Sequence, residues 1–334
     1  MVQTTAFYFL PACVIASGYA AGVPDAYEAV IVGGGAAGLS AALILGRSCR
    51  ATLVLDDGRP RNAVAKRMHG FISRDGTPPL ELLAAAREEL ERYSSVAITQ
   101  MHVETIAGGA GAFHVATLDG ERYTAKRILL ATGVYDALPE IDGLRDAWGQ
   151  TAFVCPYCDG WEMRGKRIAV VANGGKAVEL AQELHQWTHD IIVCTQGDAT
   201  LSSEQRRWID AAGATLVTSP LQRVHSTGGQ IESIEFDGRT ERCGALFLSA
   251  PLRPRYPLVD MLGCTVRDGQ IETDTNGRTS VAGVYAAGDA VTAVHQVVLA
   301  AASGVCAAMG INEDALKEDV ARTLSTSPMS GVQS

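Results

Sequence analysis

Hydrophobic and polar positions along the chain follow one order twice, and that order predicts the fold. A short apolar run at Ala29–Val32 precedes a stretch rich in small residues, which is typical of a strand followed by a closely packed helix. The apolar run at Ala51–Asp57 predicts a second strand. Alternating positions then extend from Phe113 to Gly133 across an Asp-Gly turn, which predicts a hairpin that ends in a buried strand at Ile128–Ala131.

The same order returns in the second half of the chain. Arg167–Trp187 is typical of a strand, a glycine turn and a helix. Asp190–Gly197 predicts the next strand, and Ile231–Ala250 repeats the alternation around another Asp-Gly turn. Two copies of one supersecondary order predict an α/β protein with two Rossmann-like, three-layer ββα nucleotide-binding domains. Breaks that contain proline, at 139–143 and 251–254, predict the linkers between the domains.

The composition fits two globular domains and excludes some partners. The chain has 334 residues, of which 47% are hydrophobic and 19% charged, and its net charge is -9. A chain with this charge has no basic stripe to neutralise phosphates, so no nucleic-acid partner is expected. The uncharged stretch Ala6–Val23 lacks the basic residue that precedes a secretory signal and contains Pro11. We therefore expect residues 1–25 to form an N-terminal extension, with a cytoplasmic location and no membrane partner.

The first glycine turn predicts a dinucleotide site. Glycines follow the first strand in the order G-x-G-x-x-G, and Asp56 ends the second strand 18 positions after the last of them. Gly33 permits the tight turn, Gly35 lets a pyrophosphate approach the backbone, and Gly38 lets the helix and the strand pack closely. The helix N-terminus then offers N–H groups and a positive dipole to the phosphates.

Cysteine spacing indicates one pair with its own chemistry. The chain has eight cysteines, but only Cys155 and Cys158 stand close in sequence, and we expect the other six to be buried small hydrophobic residues. A zinc site would need two further ligands, and a static disulfide is uncommon in a cytosolic chain, so the CxxC pattern favours a redox-active pair. Pro156 stiffens the turn, and Asp159 can give or take a proton as a thiolate forms. No metal site is predicted.

Four motifs in this order resemble those of the low-molecular-weight thioredoxin reductases. They are the glycine fingerprint, ATG at 131–133, CPYCDG at 155–160, and AAGD at 286–289. Relatives of these enzymes include dithiol oxidases that close disulfides in small natural products. The resemblance extends from Tyr27 to about Val305. It implies a discontinuous FAD-binding domain at 26–143 and 247–325, a NAD(P)-type domain at 144–246 inserted into it, and a homodimer.

The resemblance also implies roles for individual residues. Cys158 would face the flavin, and Cys155 would exchange with a thiol or disulfide substrate. Asp159 matches the proton-transfer acid of the family. Asp56 would bind the adenosine ribose of FAD, and Asp289 would lie at the ribityl chain. The implied FAD contacts as a set are Gly33, Gly35, Ala36, Ala37, Gly38, Asp56, Asp57, Thr132, Gly133, Gly288, Asp289, and the residues near the flavin ring, His295, Gln296 and Val297.

The second glycine turn departs from the family pattern. It reads VVANGGKA, with Ala172 where the family has its first glycine, and an alanine disfavours a tight turn at positive φ. Gly174, Gly175 and Ala177 remain as candidate NAD(P) contacts.

The segment after the second strand of this unit also departs from the family pattern. Where the family has a cationic run that binds the 2′-phosphate, this chain has Thr195-Gln196-Gly197. Arg206 and Arg207 follow, and we expect them on an exposed helix face. The departures leave open weak NADP(H) binding, another electron donor, or no such donor.

The sequence thus predicts an FAD-dependent dithiol/disulfide oxidoreductase that relays electrons between FAD and a thiol/disulfide substrate through Cys155 and Cys158. The substrate would be a small protein such as thioredoxin or a small-molecule dithiol. One alternative is a dithiol oxidase that passes electrons to O2 or NADP, and another is a non-catalytic flavin-binding redox sensor. His69, in the loop after Asp56, is expected to make structural hydrogen bonds, with reach of the flavin or substrate side as the alternative.

Overall fold

The computed structural model describes residues 26–197, 200–255 and 257–326, so the predicted N-terminal extension lies outside the described residues. In chain order the strands are β1 (Tyr27–Val32), β2 (Thr52–Asp56), β3 (Val96–Gln100), β4 (Val103–Gly109), β5 (Ala112–Thr117), β6 (Arg122–Leu130), β7 (Val134–Asp136), β8 (Ala152–Phe153), β9 (Ile168–Val171), β10 (Ile191–Cys194), β11 (Thr215–Val217), β12 (Arg223–Thr227), β13 (Gln230–Phe236), β14 (Arg239–Arg242), β15 (Ala245–Leu248), β16 (Leu252–Pro254), β17 (Val266–Arg267), β18 (Gln270–Ile271) and β19 (Val284–Ala286). The helices are α1 (Ala36–Arg47), α2 (Pro79–Leu90), α3 (Leu144–Ala147), α4 (Pro156–Asp159), α5 (Gly175–Leu184), α6 (Ser203–Ala212), α7 (Leu258–Leu262) and α8 (Val297–Thr326), with 3-10 turns at Arg61–Val64 and Gly288–Ala290.

The chain folds into two compact units. The described residues of the first unit fall in 26–60, 83–133 and 254–326, and those of the second in 61–82 and 134–253. Relative to the predicted domain boundaries, residues 61–82, 134–143 and 247–253 belong with the second unit. Arg61 and Asp136 explain part of this difference, because they form an ion pair at 2.6 Å within that unit.

The sheet of the first unit has the strand order β3-β2-β1-β6-β5-β4. Its first four strands are parallel, and β6 is long enough to pair with β5 along its first half and with β19 along its second. Alternate residues of β1 serve two cores. Val30 and Val32 pack on one face of the sheet, whereas Ala29 and Ile31 pack on the other face against α1. A strand covered on both faces is apolar at every position, as the short run at Ala29–Val32 is.

The second unit repeats this arrangement. Its parallel sheet has the order β11-β10-β9-β15-β8, and β12, β13 and β14 form a separate antiparallel sheet. Ile168 and Val170 of β9 pack with α5, and Ala169 and Val171 pack in the other core with residues of β12 and β13. Both units therefore have the three layers expected of Rossmann-like domains, and the predicted fold class is confirmed.

The last helix, α8, is part of the core of the first unit. By length and composition alone it could cross a membrane, but Ala307, Ala308 and Ile311 lie in the same core as α1. Gly304 is the point of closest approach, because a Cβ atom there would clash with the backbone carbonyl oxygen of Ala37. Small residues at this crossing thus let the two helices lie in direct backbone contact.

Candidate active site

The first glycine turn has the geometry of a phosphate cradle. Gly33 has φ +108°, and a Cβ atom there would clash with the carbonyl oxygen of Ala131. A Cβ atom at Gly38 would clash with the carbonyl oxygen of Gly33. At Gly35, the N-cap of α1, a Cβ atom would meet nothing within 4 Å. Two glycines are therefore needed for the turn itself, whereas Gly35 leaves open space beside the N–H groups of the first helical turn.

Asp56 lies against this turn at the end of β2. A Cβ atom on Gly34 would stand 2.7 Å from Oδ2 of Asp56, so the carboxylate is directly beside the glycine backbone. Arg87 of α2 donates to the same oxygen at 2.6 Å and holds the carboxylate in place. Asp57, the next residue, accepts hydrogen bonds from the backbone N–H and the side chain of Arg59, so its bonding partner differs from that of Asp56.

The chain returns to the same turn near its C-terminal end. Gly288 has φ +79°, and a Cβ atom there would stand 3.0 Å from Cβ of Ala37 in α1. Its N–H donates to Oγ of Ser303 in α8 at 2.9 Å, which fixes the 3-10 turn that carries Asp289. The structure thus brings the AAGD motif beside the start of α1, although about 250 residues separate them in sequence.

The remaining predicted cofactor residues lie on the edges of this region. Thr132 and Gly133 follow β6 directly after Ala131, and Gly133 has φ +61°. Val297 begins α8, and the carbonyl oxygen of Gln296 accepts a hydrogen bond from the N–H of Ala300. Nε2 of His295 lies 2.8 Å from the carbonyl oxygen of Thr292. Ala36 and Ala37 form the first turn of α1. The arrangement fits a dinucleotide, because backbone N–H groups, open space and carboxylates meet at one edge of the sheet.

The cysteine pair forms a disulfide at the start of the short helix α4. Cys155 and Cys158 have Cα atoms 5.3 Å apart, and Cys155 is the N-cap. Sγ of Cys155 accepts a hydrogen bond from the N–H of Cys158 at 3.1 Å, and Pro156 occupies the first helical position. A donor aimed at this sulfur favours its thiolate form once the disulfide is reduced.

Asp159 is placed to exchange protons near neutral pH. Burial, with a smaller contribution from the carboxylate of Glu162, raises its pKa to about 7, and His69 acts in the opposite direction. A carboxyl group with this pKa changes its protonation over the range in which thiols react. His69 itself lies between two acids, with Nδ1 3.3 Å from Asp75 and Nε2 3.5 Å from Glu162.

The other cysteines are of two kinds. Cys194, Cys243 and Cys264 are buried, as predicted, and burial raises the pKa of Cys243 to about 12, which makes its thiol unreactive. Cys49 and Cys306 are exposed, so the prediction that they are buried is wrong. Both lie on the outer side of the first unit, Cys49 just after α1 and Cys306 on α8. Cys13 is outside the described residues.

The second glycine turn is built differently from the first. The first N–H group of each turn is bonded in the same way. The N–H of Ala172 donates to the carbonyl oxygen of Cys194, as the N–H of Gly33 donates to that of Leu55. Ala172 has no positive φ, so the predicted penalty at that residue is wrong. The irregular conformation has moved to Gly174, which has φ +58° and ψ -135°. A Cβ atom disfavours positive φ, and the glycine two positions later adopts it instead.

This displaced turn is closed by its own neighbours. The N–H of Gly174 donates to the carbonyl oxygen of Thr195 at 3.0 Å. Gln205 of α6 covers Gly175, since a Cβ atom there would stand 2.6 Å from the side-chain Nε2. Gln205 is fixed in this place by a capping box with Ser202. Ala177 is buried on the core side of α5.

The segment after β10 also folds back on the second unit. Gln196 has φ +59°, and its side-chain oxygen accepts a hydrogen bond from the N–H of Leu221 at 3.1 Å. The N–H of Gly197 donates to Thr218 at 2.6 Å. Arg206 and Arg207 are exposed on α6, as predicted. The three residues in the place of the family's cationic run are thus occupied with internal contacts.

Four residues of these regions were not predicted as site residues from the sequence. Arg87 and Ser303 hold Asp56 and Gly288, Gln205 covers the second turn, and Glu162 adjoins Asp159. Arg87, Ser303 and Gln205 are remote in sequence from their partners and carry no motif. Glu162 stands at i+3 from Asp159, a spacing that places two carboxylates on one side of a helical turn and was available as a signal.

Comparison with known proteins decides the family. Residues 27–304 match the family described as pyridine nucleotide-disulphide oxidoreductase. The chain belongs to this family. It is 31% identical to the protein named thioredoxin reductase sirT from Leptosphaeria maculans, over 89% of this chain and 97% of that protein. A probable thioredoxin reductase from Arthroderma benhamiae is 35% identical, but that match covers 51% of this chain and 44% of that protein.

A solved structure supports the same relationship. The putative thioredoxin reductase TrxB from Bacillus anthracis superimposes with a TM-score of 0.84 at 30% identity, covering 88% of this chain and 99% of that one. The protein is thus a thioredoxin reductase-like dithiol/disulfide oxidoreductase, an enzyme of an FAD-dependent family whose usual nucleotide is NADPH. The cradle at Gly35 and the carboxylates beside it fit FAD in the first unit.

Proposed function

We propose that this enzyme oxidises a dithiol and passes the electrons to FAD, and does not reduce a disulfide with NADPH. The observation that carries the proposal is the second glycine turn. The N–H of Gly174 is bonded to Thr195, and Gln205 covers Gly175. Because a nucleotide phosphate needs open N–H groups at such a turn, NADPH has a poor site there. A dithiol substrate supplies electrons without that site.

In this proposal the substrate reacts by thiol–disulfide exchange. One substrate thiol loses a proton and attacks Sγ of Cys155, the Cys155–Cys158 bond breaks, and Cys158 leaves as a thiolate. The second substrate thiol then attacks the substrate sulfur that is bonded to Cys155 in the mixed disulfide. The bond to Cys155 breaks, which releases the substrate as a disulfide and Cys155 as a thiolate. The N–H of Cys158 stabilises that thiolate at Sγ of Cys155. Asp159 accepts and returns the protons that the thiols lose and gain.

FAD, when bound, would accept the two electrons of the reduced cysteine pair and deliver them to O2. We assign FAD binding to residues of the first unit. The N–H groups beside Gly35 would bind the pyrophosphate, and Asp56, fixed by Arg87, would bind the adenosine ribose. Asp289 would bind the ribityl chain. Thr132, Gly133 and the start of α8 at 295–297 would lie toward the flavin ring.

An anaerobic reduction experiment tests the direction of electron flow. The purified yellow holoenzyme is mixed with dithiothreitol or with NADPH, and the flavin absorbance is followed. We expect dithiothreitol to bleach the flavin and NADPH to leave it unchanged within the mixing time. In air, peroxide should form in step with dithiol loss if O2 is the acceptor. Bleaching by NADPH within the mixing time would establish a reductase and overturn the proposal.

We also propose that the enzyme is a cytoplasmic homodimer. Support for the dimer comes from one exposed side of α8, where apolar side chains recur at helical spacing. Each is about half exposed, and together they form an exposed apolar row on the helix. They are Leu299, Met309, Leu316 and Val320. The substitution pair Met309→Glu and Leu316→Glu should give a monomer by light scattering. Leu118→Glu, at another exposed leucine of the same unit, is the control and should leave the mass unchanged.

A further inference from the structure

The loop at 66–77 carries a histidine to the cysteine pair of the second unit. The loop is closed by backbone hydrogen bonds, from Met68 to Thr77 at 2.9 Å and from Gly76 to Met68 at 2.8 Å. Met68 is buried and anchors the loop. His69 follows directly, with 18% of its side chain exposed. The sequence placed this residue in a loop, and the structure gives it a fixed position.

His69 has an acidic partner on each ring nitrogen. Nδ1 lies 3.3 Å from Oδ1 of Asp75, and Nε2 lies 3.5 Å from Oε1 of Glu162. The N–H of Gly70 donates to the same oxygen of Asp75 at 2.9 Å and, as the main cause, lowers the pKa of Asp75. The imidazole ring therefore bridges the loop and the helical turn that follows Asp159.

The charges of this group act on Asp159. Within the part of the chain that the structure describes, Glu162 and His69 are the titratable groups whose charges move the pKa of Asp159, in opposite directions. Asp75 acts indirectly, because it faces His69. Burial is the main cause of the raised pKa of Asp159, and this acid and this histidine adjust that pKa in opposite directions.

We propose that His69 and Glu162 are positioning residues that set the pH range over which Asp159 holds its proton. They do so through charge, without contact with the substrate. His69 favours the carboxylate of Asp159, which takes the proton of the attacking thiol. Glu162 favours the carboxylic acid, which returns a proton to Cys158. This inference rests on the proposed function, in which Cys155 and Cys158 exchange with a dithiol.

Titration of the holoenzyme tests the inference directly. Infrared spectra across pH give the midpoint of the protonated carboxyl band that Asp159→Asn removes. His69→Gln should raise that midpoint by about one pH unit, and Glu162→Gln should lower it by about as much. The double variant should return close to the wild-type midpoint. His69→Lys retains a cation and should stay within about half a unit of wild type.

The rate of disulfide reduction gives a second readout. Stopped-flow reduction by dithiothreitol is compared between variant and wild type at each pH, so that ionisation of the reagent cancels. The matched control is His225→Gln, since His225 pairs with Glu235 at 2.7 Å elsewhere in the second unit and should not move the profile. Unchanged midpoints in His69→Gln and Glu162→Gln would overturn the inference and leave a structural role. Wild-type flavin that dithiothreitol cannot bleach would instead overturn the proposed function.

Discussion

The backbone N–H of Cys158 donates to the sulfur of Cys155 over 3.1 Å. This contact makes the two positions different, because Cys155 is the N-cap of α4 and accepts the bond, whereas Cys158 lies inside the helix and donates it. A sulfur that accepts such a hydrogen bond ionises more readily to the thiolate. A thiolate reacts with disulfides and alkylating reagents, whereas a thiol does not.

The first prediction concerns this inequality. In the reduced enzyme, iodoacetamide should modify Cys155 at lower pH than Cys158, as mass spectrometry of the peptides would show. Cys155→Ser and Cys158→Ser should each reduce dithiol turnover to background, because the disulfide can no longer form. Cys49→Ser is the control, since Cys49 is an exposed cysteine of the first unit and should leave turnover unchanged. A cysteine variant that keeps turnover would show that the pair is not the electron relay.

The second prediction concerns the buried acid. The pKa of Asp159 is raised to about 7, so the folded protein holds a proton between about pH 4 and 7 that the unfolded chain releases. The free energy of unfolding therefore falls as pH rises from about 4 to about 7 and does not fall further above pH 7. Asp159→Asn should unfold with a free energy on the order of 1–3 kcal/mol higher than wild type at pH 8, and with a smaller gain at pH 5.

The same substitution should lower turnover about 100-fold, since it removes a group that transfers protons. Chemical denaturation at the two pH values and steady-state kinetics supply the measurements. Equal stability gains at pH 5 and pH 8 would mean that the effect is packing and not charge.

The third prediction separates folding from cofactor binding at the first glycine turn. Gly35→Ala should fold normally, because the added Cβ atom meets nothing within 4 Å. It should bind FAD at least tenfold more weakly, about 1.4 kcal/mol, since the methyl group lies where the cofactor approaches. Gly109→Ala also meets nothing within 4 Å and lies on β4, so it should retain FAD. Fluorescence titration of the apoprotein gives both affinities. Full FAD affinity in Gly35→Ala would place the pyrophosphate elsewhere.

The fourth prediction concerns the displaced turn of the second unit. Gly174→Ala should lower the free energy of unfolding by about 1–3 kcal/mol, because φ +58° with ψ -135° is a region that L residues avoid. Ala172→Gly should lower the free energy of unfolding by only about 0.5–1 kcal/mol. Ala172 has ordinary backbone angles, so the glycine only adds backbone freedom to the unfolded chain. Denaturant unfolding of the two variants ranks them. The reverse order would mean that the strained residue is Ala172 after all.

Sequence reasoning was most successful where neighbouring residues determine the structure. The strand, glycine turn and helix at Gly33–Gly38 were predicted because backbone freedom and helix start lie within a few positions. Both Asp-Gly hairpins, β5–β6 and β13–β14, were also predicted. In these segments turn chemistry and alternation act together, and distant contacts are not needed.

The rest depends on contacts between remote parts of the chain. No local signal connects Arg87 with Asp56 or Ser303 with Gly288, because each pair meets only after the sheet has formed. Ala172 was misjudged for a related reason. The sequence shows that its Cβ atom is a cost at positive φ, but the fold decides which residue of the turn adopts that angle.

The contact of Gly304 with Ala37 has a consequence for how the enzyme is made. The turn that would hold the pyrophosphate is translated before the second unit, whereas Asp289 and the helix that supports it are translated after it. A nascent chain can therefore complete its flavin pocket only after the whole second unit has been synthesised. Capture of the vitamin-derived cofactor thus has to wait for the segment that carries Asp289.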